Sequence, residues 1–274
     1  MTDSPAWVAP VSPDLVWFSG GDTVRFLNDI ISQEIADMAP GQVRRSLLLG
    51  ARGKLDHLLW VLKGDDLVGL VTDQGRGDDL AATLGRYRIR VEVAIEVEMR
   101  PLWLVMGQAA TGGWSGDRNG RLEADLSWAG TTRTLISGDR PDLGSGTVEG
   151  YEQARIGSGE PQWGVDVDEK TIPQEMGLMV EATVDFDKGC YLGQELVARI
   201  NSRGHVNRHL RLLDLEGPVE PGSVIVSGGN AVGTVTSVTG GLGMALIRHE
   251  VTPGDRVAVG GVGAVVRDLP GVRA

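Results

Sequence analysis

A single cysteine, Cys190, occurs in 274 residues. No internal disulfide can therefore form, which agrees with a reducing compartment. No run of 18 or more apolar residues offers a membrane-spanning helix, and Met1 to Pro5 lack the basic and then apolar segments of a secretory signal. The expectation is a cytoplasmic protein with no membrane partner. Basic residues are in the minority, 26 against 37 acidic ones, for a net charge of −11. That balance disfavours non-specific attraction to nucleic acid, so no direct nucleic-acid partner is expected. Four histidines are dispersed, and His205 and His209, spaced i, i+4, would need further ligands that the sequence does not supply, so no intrinsic metal is expected. One thiolate cannot hold an iron–sulfur cluster, which normally takes four protein ligands. Nucleotide fingerprints are absent despite 40 glycines: Gly241-Leu-Gly243 and Gly261-Val-Gly263 lack a third glycine and a strand-to-helix context. Glycine here marks turns.

What is present is the composition of a globular chain, 41% hydrophobic and 23% charged, long enough for one large or two ordinary domains. Residues 1–13, with Pro5, Pro10 and Pro13, read as an extended lead-in. Asp22 reads as the N-cap of a helix in which Val24, Leu27, Ile31, Ile35 and Met38 recur at helical spacing until Pro40-Gly41. Residues 45–49, 55–62 and 67–72 read as strands, 77–87 as a short helix, and 91–98 as a strand alternating apolar and acidic positions. Residues 101–108 and 131–137 add strands, 111–130 read as a long mobile loop, 141–150 as a connection, 149–156 as a helix and 157–170 as a loop. The pattern is α+β with a mainly antiparallel sheet. From Val206 onward, short apolar runs alternate with Pro-Gly and Gly-Gly turns every 8–12 residues, which predicts a small antiparallel barrel.

The chemistry concentrates between Val184 and Arg199. Gly189 and Gly193 bracket Cys190, Tyr191 and Leu192, and Gln194 to Arg199 has helical composition. A helix start beside Lys188 would lower the pKa of an exposed Cys190 and make it nucleophilic; the alternative is a small buried core residue. Arg199, Arg203, Arg208 and Arg211, with His205 and His209 among them, and the group Arg86, Arg88 and Arg90, are local basic patches. Each is either a solvated face or, for Arg199 and its neighbours, an anion site suited to a carboxylate.

Lys-Gly-Cys-Tyr-x-Gly-Gln-Glu, at Lys188, Gly189, Cys190, Tyr191, Gly193, Gln194 and Glu195, resembles the signature of the YgfZ family, relatives of the glycine cleavage T-protein, an aminomethyltransferase. Ala154 to Pro161, Ile172 to Glu175 and Gly233 to Ser237 resemble further segments of these proteins. The resemblance implies an aminomethyltransferase-like fold, with interleaved α+β subdomains in a folate-binding region over 1–204 and a C-terminal β-barrel over 205–274. It implies tetrahydrofolate as cofactor, iron–sulfur assembly or carrier proteins as partners, and an indirect link to tRNA modification. It also implies a central pocket built from the Asp56 segment with His57, from the Arg155-to-Asp166 loop with Arg155, Trp163 and Asp166, and from the signature. Cys190 would stand at its rim as a redox-active or partner-linking thiol, and Arg199 would serve the glutamyl tail. Two departures weaken an aminomethyltransferase reading. His57 stands where those enzymes carry a second aspartate after Asp56, and Gly157 stands where they carry a folate-binding glutamate. Asp56 could equally be a strand-end acid and Gly157 a turn glycine. A true aminomethyltransferase using Asp56, and a folate-free scaffold, stay open as alternatives.

Overall fold

A computed structural model describes residues 5–110 and 120–271. In chain order it begins with β1 (Trp7–Val8), β2 (Asp14–Ser19), α1 (Thr23–Asn28), β3 (Val43–Leu49), β4 (Leu55–Lys63), β5 (Leu67–Thr72), α2 (Gly77–Gly85) and β6 (Ala94–Val97). Then come β7 (Leu102–Met106), β8 (Glu123–Asp125), β9 (Arg133–Ser137), β10 (Gly144–Ser145) and α3 (Val148–Gly157). A 3₁₀ turn (Pro173–Met176), α4 (Met179–Thr183) and α5 (Gln194–Arg203) follow. The chain ends in β11 (Arg208–Leu215), β12 (Val224–Ser227), β13 (Asn230–Thr239), β14 (Leu242–Arg248), β15 (Arg256–Val259) and β16 (Val262–Arg267).

The strands form two five-stranded sheets, ordered β3-β4-β5-β2-β6 and β10-β1-β7-β9-β8, and a closed barrel, β11-β14-β13-β12-β15-β16. The α+β class and the barrel are as the sequence predicts, and pairing is antiparallel except for β1 with β10. The sheets interleave, because β1 joins the second sheet and β2, six residues on, joins the first. Strand β2 shows why the sheets stack. Val16 and Phe18 pack with α1 and α2, while Leu15 and Trp17 pack against β7 and β9, so this run is apolar on both faces.

Two expectations are corrected. The helix expected from Asp22 to Met38 stops at Asn28, and Asp22 makes no capping bond; its Oδ2 accepts from Glu92 N at 2.8 Å. Competing partners end the helix. Asn28 Oδ1 accepts from Ile35 N at 2.8 Å, Ser32 Oγ donates to Thr183 O at 2.6 Å, and Ile31 bridges to Leu48. The predicted apolar positions Leu27, Ile31, Ile35 and Met38 are nonetheless buried, brought to one core by turns rather than by helical rise. Of the loop expected at 111–130, residues 111–119 lie outside the described residues, and the rest is ordered by burial. Leu122, Ala124, Leu126 and Trp128 point inward at every second position and β8 pairs with β9.

Candidate functional site

Where the two sheets meet α3 and the loop after it, a cavity of about 400 Å³ opens, lined by Leu58, Trp60, Asp73, Arg76, Arg133 and Trp163 among others. Strand alternation supplies its charges. Arg44 and Arg45 are consecutive in β3 and so point to opposite faces: Arg44 reaches out to Asp37 at 2.7 Å, and Arg45 reaches in. Arg45 and Arg133, 5% and 4% exposed, grip Glu160 from two sides, at 2.6 Å to Oε1 and 2.5 Å to Oε2. Burial alone would raise the Glu160 carboxyl, but Arg133 and then Arg45 outweigh it and hold it at about 2. The Arg45 guanidinium also lies 4.4 Å from the Trp60 ring and 4.6 Å from the Trp128 ring, which meet edge to face at 5.9 Å.

This wall carries more hydrogen-bonding capacity than the protein uses. Arg45 Nε and Nη2, Arg133 Nη2, Trp163 Nε1 and Asp73 Oδ2 are buried atoms without a hydrogen-bond partner among the described residues. Such groups are unfavourable unless something answers them. Asp73, just past the end of β5, has its carboxyl pushed up to about 6, first by burial and then by the charge of Glu160, against the pull of Arg45.

The residues expected in the site fall into three places. Arg155 and Trp163 line the cavity, but Arg155 is 3% exposed and spends all five of its N–H groups inside the protein. Nε and Nη2 bind Glu152, Nη1 binds Glu160 O and Asp166 Oδ2, and Nη2 also binds Ser237 Oγ at 2.9 Å. Asp166 answers with Oδ2 to Arg155 and Gln162 N and Oδ1 to the hydroxyls of Thr236 and Ser237. Together these two residues tie α3 and the 160–166 loop to β13 of the barrel.

Asp56 and His57 form the second group, one step behind the cavity wall. Buried His57 places Nδ1 3.4 Å from Asp56 Oδ1 and Nε2 3.5 Å from Asp79 Oδ2. These ligand atoms lie within 4.8 Å of one another, a spacing that could hold a metal ion. Arg76 already supplies the positive charge there, with Nη2 2.8 Å from Asp79 and 3.1 Å from His57 Nε2. Its guanidinium stacks at 3.7 Å on Trp163, so Asp56, His57 and Asp79 support one wall of the cavity through Arg76. The Asp56 carboxyl is held below its usual range by the His57 contact first, against burial, with Arg76 adding to it.

The signature is the third group, and none of it lines the cavity. Gly193 (φ +77°) and Gly53 (φ +71°) meet back to back: a Cβ on Gly193 would fall 2.5 Å from Gly50 O, and one on Gly53 2.7 Å from Gly193 O. Only glycine fits at either position, and the contact seats the signature on the turn between β3 and β4. Tyr191 is buried with Leu47, Leu49, Leu55 and Leu58, so its cluster backs onto the cavity through Leu58. Lys188 spends its ammonium on backbone carbonyls. Its Nζ donates to the carbonyls of Asn28 (2.8 Å), Ile31 (3.0 Å) and Gln33 (2.8 Å), the chain just past α1, and burial pushes its pKa down to about 8. Cys190 is exposed, so the buried-core alternative is excluded. Gln194 and Glu195 open α5, and Arg199 stands exposed on it, away from the cavity. Gly157 ends α3, and a Cβ there would meet only Leu242, at 3.9 Å.

Sequence reading passed over Arg45, Asp73, Arg76 and Arg133, and took in Glu160 only as part of the Arg155-to-Asp166 loop. The signal available for two of them was an arginine in step with apolar residues at every second position of its strand: Arg45 with Val43, Leu47 and Leu49, and Arg133 with Leu135.

Comparison with known proteins places these features. The family described as CAF17, C-terminal beta-barrel domain, matches residues 207–270. The chain is 29% identical over 195 residues to the mouse mitochondrial iron-sulfur cluster assembly factor IBA57, covering 62% of this chain and 53% of that protein. It is 28% identical over 268 residues to the human protein of the same name, covering 86% and 75%. An Arabidopsis thaliana protein described as a putative transferase, chloroplastic, is 32% identical over half of this chain, and the match spans 33% of its length. The chain thus spans about half or less of the mouse and plant relatives. In structure it matches the glycine cleavage system aminomethyltransferase T of Bartonella henselae with a TM-score of 0.82, over 98% of this chain and 87% of that one, at 18% identity. The chain thus carries a CAF17-type barrel closing an aminomethyltransferase-like body, and it is similar to IBA57 proteins over most of its length.

Proposed function

We propose that the chain is a tetrahydrofolate-binding protein that supports assembly or repair of iron–sulfur clusters in a reducing compartment, the cytoplasm, and through cluster enzymes supports tRNA modification. The names of its relatives support the iron–sulfur part. The observation that carries the folate part is the cavity: flat aromatic walls from Trp60, Tyr151 and Trp163, with buried guanidinium and indole donors left unanswered. These residues fit a planar heterocycle, which the rings would sandwich and the donors would orient. Bound tetrahydrofolate would supply a reduced ring able to carry one-carbon units or give up electrons. Cys190, exposed on a loop pinned by Lys188 and by the Gly53–Gly193 contact, is a thiol presented to a partner rather than to the cavity. A single thiolate supplies one ligand to a cluster, so an iron–sulfur carrier protein must supply the others.

The aminomethyltransferase alternative is disfavoured by Asp56, whose carboxylate faces His57 and Arg76 instead of lining the cavity. The test is complementation of a strain lacking its own family member. Wild type and Asp56→Asn should restore iron–sulfur enzyme activity, and Cys190→Ala should fold and fail. Full rescue by Cys190→Ala would overturn the thiol's role.

A further inference from the structure

The cavity does more than offer aromatic walls, because its unanswered groups have a pattern. Asp73 contributes an acceptor, Oδ2, that no donor among the described residues meets. Arg45 and Arg133 contribute donors, each with an Nη2 that no acceptor meets, while their Nη1 groups hold Glu160. Asp73, Arg45 and Arg133 all line this one cavity. The cavity lining therefore presents both an unmet acceptor and unmet donors. Each guanidinium is locked from behind, Arg45 by Trp60 and Trp128 and Arg133 by its Nε bond to Leu126 O at 2.5 Å. These groups cannot swing away to find other partners. The polarity of the wall is built in.

A ligand that answers it carries N–H donors next to a carbonyl oxygen on one rigid edge. Building on the reading of the cavity as a pterin site, we propose that Asp73, Arg45 and Arg133 together read a 2-amino-4-oxopyrimidine edge. The Asp73 carboxylate accepts from the ring N–H and the exocyclic amine, and the guanidinium donors reach the 4-oxo oxygen. Burial of Asp73 strengthens the demand, since an ionised carboxylate there gains most from a paired donor. Guanine carries the same edge as a pterin, so ring size and the groups attached to it must separate the two.

The experiment is isothermal titration of the full chain with tetrahydrofolate, folic acid and aminopterin, the last two differing at position 4, where an oxo group is replaced by an amine. GMP is the guanine arm, and wild type is run beside Asp73→Asn with melting curves of both. An amine at position 4 would point donors at donors and leave the guanidinium groups unanswered, a loss of about 10- to 100-fold. Wild type is expected to prefer folic acid over aminopterin by that factor, and Asp73→Asn, still folded, to lose affinity for folic acid by about the same factor. Equal affinity for folic acid and aminopterin, or folic acid binding unchanged in Asp73→Asn, would overturn the edge reading and leave the folate reading standing. Binding of GMP with no binding of folic acid or tetrahydrofolate would uphold the edge and overturn the folate reading. Binding of none of them would overturn both.

Discussion

Asp73→Asn should make the free protein more stable, and more so as pH rises. The Asp73 carboxyl sits at about 6 in the folded chain against an ordinary 3.8. The difference, 6 − 3.8 or about 2.2 units, corresponds to about 3 kcal/mol at roughly 1.36 kcal/mol per unit. Asp73 keeps partial contact with solvent, which screens the effect to about 1–2 kcal/mol. The sign follows from the raised value. Folding favours the protonated acid, so below about 3.8 the native state carries no penalty. The penalty grows as pH rises from 3.8 to 6, and above 6 it is complete. Asparagine does not ionise. Thermal melts of both proteins at pH 4 and pH 8 should therefore nearly coincide at the lower pH. At the higher pH the variant should melt about 2–8 °C above wild type, at roughly 2–4 °C per kcal/mol for a chain of this size. A residue whose removal strengthens the fold is one kept for another purpose. If Asp73→Asn melts at or below wild type at pH 8, Asp73 is satisfied in the free protein, and the argument for an unanswered acceptor in the cavity fails.

Glu160→Gln should cost about 3–5 kcal/mol in urea denaturation, because it leaves Arg45 and Arg133 buried without their shared counter-charge. In wild type, the stability Glu160 contributes should be complete above about 4.5, its ordinary value, and be lost as pH falls towards 2, which an acid-denaturation series would follow. Lys188→Met should cost about 2–3 kcal/mol by leaving three carbonyls without their charged donor, and limited proteolysis should then cut near 28–33 and 185–193; an unchanged digestion pattern would contradict the pinning role. Gly193→Ala, with its Cβ forced to 2.5 Å from Gly50 O at φ +77°, should destabilise by about 2–3 kcal/mol or more, and a melting temperature equal to wild type would count against the back-to-back glycine contact.

The barrel was readable because its strands are short, alternate cleanly and end at Pro-Gly and Gly-Gly turns, so each local signal agrees with the global fold. The first helix was misread for a physical reason. Val24, Leu27, Ile31, Ile35 and Met38 keep helical spacing, but the side chains of Asn28 and Lys188 take backbone groups that a longer helix would have needed, and Ser32 N donates to Leu47 O instead. Lys188 lies 160 residues from Asn28, and no local rule connects them. The signature loop was legible as a glycine-bracketed turn into a helix, and the structure adds which glycine is irreplaceable and what it touches. The cavity was the least legible part. Arg45, Arg133 and Glu160 come from two strands and a loop that meet only in three dimensions, and an arginine in a strand reads as a surface residue until its face is known. Arg155 and Asp166 show the opposite case: a charged pair in a motif segment, suggestive of ligand binding, whose hydrogen bonds are spent on holding the barrel to the body.

The most direct test of folate in this cavity is isothermal titration of the purified chain with tetrahydrofolate, wild type beside Trp163→Leu. Trp163 forms one aromatic wall, held flat by Arg76 at 3.7 Å. Loss of base-type stacking on one ring is worth about 1–3 kcal/mol. Micromolar binding by wild type, weakened about 10-fold or more in the variant, is the predicted result. No heat from wild type up to millimolar tetrahydrofolate would contradict it.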